Sequence, residues 1–243
     1  INLVSRFADV IATTVDSTKQ KLSGKAKKIT TGYPIRSSLS RMDKEEALMS
    51  FNLKNDRPTL FVFGGSLGAR AINNALIPHL PELLQRCNII HLTGTNNWQD
   101  VQQQLSDMAI DSSVNYRVYP YLNEEMAAAF SAADLVVSRA GASSLGELPY
   151  FGLPAVLVPY PHAWKYQKLN ADYLVSRQAA VILENQYLDD QLVPVVLSLL
   201  DQPERLLAMR KAMEHLSTPS AAQDIMQLLL SMAQSGNRKG AAA

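Results

Sequence analysis

Three stretches of this chain place glycine, hydroxyl, amide and charged residues where a phosphorylated ligand could be held. The first is Gly64-Gly65-Ser66-Leu67-Gly68-Ala69-Arg70, which follows the apolar run Thr59 to Phe63 and leads into a helical pattern carrying Ala71, Ile72, Ala75 and Leu76. Glycines permit positive φ and let a phosphate approach the backbone, while the free amides and dipole of a helix start favour its negative charge. Ser66 adds a hydroxyl donor. The plainer reading of the same residues is a short strand-to-helix connection. The second stretch follows Leu135 to Ser138 and reads Arg139-Ala140-Gly141-Ala142-Ser143-Ser144-Leu145-Gly146-Glu147. Its small residues Ala142, Ser143 and Ser144 leave space and amides for a second phosphate or a sugar. Glu147 falls near the first turn of a helix, where the dipole favours a carboxylate and two acceptor oxygens suit the vicinal hydroxyls of a ribose. Taken alone it reads equally well as an ordinary helix-start acid. The third stretch ends an apolar run with Pro159-Tyr160-Pro161-His162 and enters a helix through Gln167 and Asn170, whose amides offer both donor and acceptor to sugar hydroxyls.

Rival chemistries compete for the same residues. Gly64 to Gly68 also match Gly-x-Ser-x-Gly, the nucleophile elbow of serine hydrolases, with Asp134 and His162 available to complete a triad with Ser66. Against that reading, no His-Gly-Gly-Gly stretch supplies an oxyanion donor, and little chain precedes Thr59 to build the strands such an elbow needs. A dinucleotide fingerprint fails because Gly64, Gly65 and Gly68 do not have the Gly-x-Gly-x-x-Gly spacing and no acid ends the run Asn88 to Leu92. His162 beside prolines reads as a structural loop residue, Arg139 as a local cap or pair, and Tyr119, Tyr121, Tyr160 and Tyr166 as rim packing before base stacking.

The elements that must position these loops are legible as alternating patterns. Thr59 to Phe63, Asn88 to Leu92, Tyr116 to Tyr119, Leu135 to Ser138, Ala155 to Val158 and Ala180 to Leu183 are short apolar runs without polar alternation, as in parallel strands buried on both faces. Helical patterns separate nearly all of them. That is an α/β, Rossmann-like doubly wound parallel sheet, whose ligand crevice lies beyond the carboxyl ends of its strands. Val10 to Val15 and Lys28 to Thr31 look like strands of a different sheet, joined through a turn rich in lysine, and after Leu188 the pattern is purely helical with Pro203 and Pro219 opening helices. Basic and acidic residues number 23 and 22, so no global field draws the chain to nucleic acid. A single cysteine, Cys87, leaves no disulfide framework or thiolate metal cluster, which fits a reducing compartment. No apolar run approaches the roughly 20 residues that span a bilayer, and no signal pattern opens the chain. The start at Ile1 reads as that of a fragment, and residues 235–243 as a flexible tail.

In order and spacing, Gly64 to Asn73, Arg139 to Leu148 with Gly152-Leu153-Pro154 following, and Pro159 to Ala171 resemble the C-terminal domain of the UDP-GlcNAc transferases that act on lipid-linked muramyl-pentapeptide in peptidoglycan synthesis. Gly32-Tyr33-Pro34-Ile35-Arg36 is similar to that family's interdomain Gly-Asn-Pro-Val-Arg segment. The resemblance implies a two-domain GT-B fold, with residues 1–35 ending the acceptor domain and joining it to the next, and residues 36–234 forming the UDP-GlcNAc-binding domain. It further implies that Arg36 and Ser66 bind the diphosphate beside the Gly64, Gly65 and Gly68 loop, and that Leu122 lies against the uracil. Ala142, Ser143 and Ser144 would line the pyrophosphate and sugar, Glu147 would hold the ribose, and Gln167 with Asn170 would bind the GlcNAc hydroxyls. The family needs no metal or other cofactor, works on the inner face of the cell membrane, and carries its catalytic base and membrane-facing patch in the N-terminal domain. Lys165 and Tyr166 depart from the acid and histidine that many members place before the glutamine, and Gly146 and Pro149 depart from the usual helix formers. A separate donor-binding subunit of a split transferase, a UDP-sugar epimerase and the hydrolase remain the alternatives.

Overall fold

The structure, a computed structural model, describes residues 3–65, 67–108 and 115–240. The central apolar runs form strands buried on both faces, whereas the runs Tyr116 to Tyr119 and Ala180 to Leu183, at the sheet edges, are only partly buried. Two strands, β1 (Val10–Thr13) and β2 (Lys27–Thr30), pair in parallel as a small separate sheet. The main sheet is built from β3 (Thr59–Phe63), β4 (Asn88–Leu92), β5 (Tyr116–Tyr119), β6 (Leu135–Ser138), β7 (Ala155–Leu157) and β8 (Ala180–Ile182). All are parallel, in the order β5-β4-β3-β6-β7-β8. Four of the six match the apolar runs at both ends. The other two stop one residue early, although Val158 and Leu183 still donate to the carbonyls of Ser138 and Leu157.

The helices are α1 (Asp16–Lys19), α2 (Lys44–Ser50), α3 (Arg70–Leu76), α4 (Leu80–Leu83), α5 (Trp98–Asp107), α6 (Met126–Ala132), α7 (Ser144–Phe151), α8 (Trp164–Val175), α9 (Leu188–Leu200), α10 (Pro203–Glu214) and α11 (Ala221–Gly240). Side chains alternate across the sheet with the two-residue period of a strand. Phe61 and Val136 join Leu48, Phe130 and Leu148 in one core layer, while Leu60, Val62, Leu135 and Val137 join Ile72, Leu76, Val193 and Val196 in the other. Pro203 does open α10, but Pro219 sits two residues ahead of α11. The lysine-rich stretch after β1 begins with the short helix α1, in which Lys19 pairs with Asp16. Helix α11 continues through 235–240, where composition alone reads a tail, because adding residues to an established helix is far easier than starting one.

Winding reverses between β3 and β6. From β3 the chain proceeds through β4 to β5 on one side, and from β6 through β7 to β8 on the other. Loops after β3 and β6 therefore diverge and leave a crevice, the switch point of an open α/β sheet.

Beneath the β4 end of this crevice lies a buried polar network. His91 accepts at Nδ1 from the Tyr116 hydroxyl (2.8 Å), and its Nε2 meets Asn73 Oδ1 (3.0 Å). Since Asn73 Nδ2 donates to the Thr93 carbonyl, its Oδ1 is the acceptor, so Nε2 carries the imidazole proton. His91 is fully buried, and burial alone depresses its pKa from 6.5 to about 3. An unfolded chain protonates this histidine below pH 6.5 whereas the folded one does not until about pH 3. Stability present above 6.5 is therefore lost as the pH falls across that window, by up to about 1.4 kcal/mol per pH unit. Urea unfolding of the chain and of His91→Gln between pH 7 and pH 4 should show the variant less stable at pH 7 but with a shallower loss on acidification. Equal slopes would disprove the buried neutral histidine.

Candidate functional site

The first loop keeps its path by contacts that exclude side chains. Gly65 and Gly68 have φ of +88° and +76°. A Cβ on Gly68 would lie 2.1 Å from the Thr93 carbonyl oxygen, and one on Gly94, itself at φ +81°, would lie 2.3 Å from Gly68. Backbone thus touches backbone between the loop after β3 and the loop after β4. Asn97 fastens the contact, its Nδ2 donating to the carbonyls of Thr93 (3.1 Å) and Leu67 (3.4 Å), and Asn73 Nδ2 reaches the Thr93 carbonyl at 3.0 Å. Asn73 ends the stretch that carries the family resemblance, but its bond to the Thr93 carbonyl 20 residues away, like that of Asn97 to the Leu67 carbonyl 30 residues away, is not legible from the motif. Ser66 lies outside the described residues.

The second loop leaves the sheet beside the first, since Phe63 and Ser138 are paired across β3 and β6. Ser144 Oγ donates to the Gly141 carbonyl (2.5 Å), and the amides of Gly146 and Glu147 donate to the Ser143 carbonyl. Gly146 owes its place to the segment ahead of the domain, for a Cβ there would meet the Tyr33 side chain at 2.8 Å. Gly32 is pinned in the same way against Thr218. These two contacts bring Arg36 close enough to Glu147 to favour its ionised form. Burial nevertheless raises the Glu147 pKa, and the hydrogen bond from Ser143 and the charge of Arg36 only temper that rise.

Between the loops opens a cavity of about 720 Å³. Of the residues singled out in the sequence, Gly64, Gly65, Gly68, Ser143, Ser144 and Gln167 line it. Arg36 and Glu147 sit together outside its lining, and exposed Ala142 is also outside. Leu122 is buried in the core layer that contains Phe130. Asn170 donates to the Ala140 carbonyl at 3.0 Å, which holds the second loop from behind, and Gln167 Oε1 accepts the Tyr160 amide at 2.8 Å. Arg139, Tyr160, His162 and Asn185 also line the cavity. Arg139 donates to the Val158 carbonyl and to Asn185 Oδ1, and burial lowers its pKa. His162 meets Tyr160 edge to face, whereas Tyr166 and Tyr121 are exposed and Tyr119 packs on Phe51.

The hydrolase triad is excluded by position. Asp134 receives the Thr59 amide (2.8 Å) and pairs with Lys44 (2.6 Å), so it lies at the start of β3, about 16 Å of extended chain from the Gly64 loop. Among the described residues no group of three His, Cys, Asp or Glu side chains is placed to hold a metal, and no helix is long and apolar enough to cross a membrane.

Comparison with known proteins gives this cavity a context. Residues 59–228 match the glycosyltransferase family 28 C-terminal domain. The transferase of Desulforamulus reducens named UDP-N-acetylglucosamine–N-acetylmuramyl-(pentapeptide) pyrophosphoryl-undecaprenol N-acetylglucosamine transferase is 36% identical over 231 residues, 93% of this chain and 62% of that protein. Its namesake in Moorella thermoacetica is 36% identical over 240 residues, 96% of this chain and 64% of its own. In structure, MurG of Acinetobacter baumannii superposes with a TM-score of 0.73 at 28% identity, covering 94% of this chain and 62% of MurG. Sucrose-phosphate synthase of Thermosynechococcus elongatus, at 13% identity and a TM-score of 0.64 over 96% of this chain and 61% of its own, shares the fold. The architecture is thus the parallel α/β sheet of the GT-B glycosyltransferases, and the chain spans less than two thirds of the relatives it matches.

The glycine contacts give a graded expectation. Gly68→Ala should lower unfolding stability by about 1–2 kcal/mol from its left-handed backbone alone, with the clash on Thr93 adding to it. Gly141→Ala, which meets nothing within 4 Å, should stay within about 0.5 kcal/mol of the parent in urea unfolding. Comparable losses would mean that the Gly68–Gly94 contact does not hold the loop.

Proposed function

The chain belongs to the glycosyltransferase family 28 C-terminal domain family, and from that premise we propose that it is the donor-binding part of a transferase that moves N-acetylglucosamine from UDP-GlcNAc to a lipid-linked muramyl-pentapeptide in peptidoglycan synthesis. The observation that carries this reading is the cavity at the winding reversal, bordered by two strand-to-helix loops whose amides and glycines suit a diphosphate. Support for the sugar and acceptor comes from the names of the relatives in Desulforamulus reducens and Moorella thermoacetica.

In this reaction the acceptor hydroxyl oxygen forms a bond to the anomeric carbon as the bond from that carbon to the β-phosphate oxygen breaks, with inversion. The hydroxyl proton passes to a base that we assign to the portion of the relatives this chain does not match. UDP departs with an added negative charge, so donors already aimed at the diphosphate stabilise the transition state more than the ground state. We assign that task to the amides of the Gly64 and Gly141–Ser144 loops, apart from that of Gly68, which donates to the Gly65 carbonyl, and to Ser66 and Arg36. Glu147 accepts from the ribose hydroxyls, Leu122 flanks the uracil, Ala142 joins the second loop's contacts, and Gln167 and Asn170 serve the sugar. Attachment to the inner face of the membrane belongs to the same proposal, and nucleic acid has no place in it.

Calorimetric titration with UDP-GlcNAc, UDP and NADH tests this. Both uridine ligands should bind and NADH should not, and Glu147→Ala should weaken the uridine ligands about a hundredfold or more, the scale of two lost hydrogen bonds to a charge. Failure of a folded chain to bind either uridine ligand at millimolar concentration would overturn the reading. Because burial raises the Glu147 pKa, the carboxylate needed for the ribose is lost at a higher pH than for an ordinary glutamate. UDP-GlcNAc has no secondary phosphate ionisation in this range, so its affinity should begin to fall above pH 4.5 on acidification. Glu147→Gln should bind weakly without that dependence.

A further inference from the structure

Arg139 follows Ser138 at the end of β6 and is partly buried in the cavity wall. Its Nη1 donates to the Val158 carbonyl (3.2 Å) and to Asn185 Oδ1 (2.8 Å), and its guanidinium carbon stands 5.3 Å from the centre of the Tyr160 ring. None of the ion pairs among the described residues includes it. A cation drawn partly out of water and held only by neutral groups is costly. What it gains is geometric. One guanidinium joins the end of β7, the loop after β8 and the face of Tyr160, whose own amide donates to Gln167. In the strand order these groups stand on the far side of β6 from the glycine loop after β3. The cavity therefore has one wall of backbone amides and another wall of side chains fixed through Arg139.

We propose that Arg139 is a positioning residue for sugar recognition, fixing Tyr160 and Gln167 at the glycosyl end of a nucleoside-diphosphate sugar while the glycine loop takes the diphosphate. This rests on the donor-binding function above. Lysine does not reproduce this arrangement, because its ammonium lacks both the planar direction of the two Nη1–H bonds and the flat guanidinium face that can lie on an aromatic ring. Asn185 acts in the same assembly from the other side, by accepting from Nη1.

The test is the ratio of dissociation constants for UDP-GlcNAc and UDP, measured by calorimetry on the parent chain, Arg139→Lys and Asn185→Ala, with thermal unfolding to verify that each is folded. In Arg139→Lys the UDP-GlcNAc constant should rise about tenfold while that for UDP stays within about twofold, the size expected for loss of an oriented contact at one end of the ligand. Asn185→Ala should move the ratio in the same direction, and it carries the test if Arg139→Lys does not fold. A general weakening of the domain would move both constants together. If the parent binds both ligands and the ratio is unchanged in the folded variants, the role of Arg139 is overturned alone. If the parent binds neither, the donor-binding function falls and this proposal with it.

Discussion

The pairing of β3 with β6 is the constraint on which the site depends. Each strand is an edge of its own half of the winding, and their register sets Phe63 beside Ser138, so the two loops that follow start side by side and then part. A crevice at this place needs no special residues. What the sequence adds is a choice of residues able to run backbone along its walls. That choice is only useful because the strands beneath are buried on both faces, and a shift of register would take Phe61 and Val136 out of one core layer and Val62 and Val137 out of the other.

Rigidity in the walls comes from close approach together with neutral polar bonds. Gly68 and Gly94 pack backbone on backbone, and Asn73 and Asn97 converge on the Thr93 carbonyl just below. His91 and Tyr116 continue this network into the core, where both partners are satisfied and no charge is buried. A charged group in the same position would carry a desolvation cost that only a partner could offset. The loop is held by dipoles, among them the Gly68 amide, which donates to the Gly65 carbonyl (2.9 Å). On the other side Tyr33 meets Gly146, which brings Arg36 to Glu147 across the joint between the segment after β2 and the main sheet. A helix with a stronger former at 146 would push Tyr33 away and separate the two.

Strands and loops could be read from the sequence for local reasons. The runs are short and mostly apolar, and the glycines that follow the first of them have meaning at the level of a single φ angle. The contacts that fix the site could not be read in this way. Gly146 and Pro149 look like faults in a helix until Tyr33 is seen against the first of them. Asn97 and Asn185 carry no motif, and Asn73 ends one without its partner being visible, since these partners come from separate loops of the sheet. Gln167 and Asn170 were recognisable as amides at the mouth of a cavity, but not as side chains that also hold the backbone of Tyr160 and Ala140. Asp134 could stand in a triad by sequence order alone, whereas the sheet places it at the opposite ends of the strands.

Charge in this site is divided according to how it is compensated. Arg36 and Glu147 are near one another, so a ligand that bonds to either must compete with the field of the other, and a diphosphate approaching Arg36 also approaches an acid that burial already resists ionising. Under the proposed function, ribose hydroxyls would relieve that conflict by donating to the carboxylate without adding charge. Arg139 is compensated by carbonyl, amide and ring instead, and so its orientation is fixed before any ligand arrives. For a reaction in which the leaving group gains charge, fixed dipoles and a fixed cation need little reorganisation as that charge develops. Under the proposed function, the glycine loop on one wall and a neutral-held arginine on the other would separate two tasks, holding the part of the ligand that leaves and orienting the part that is transferred.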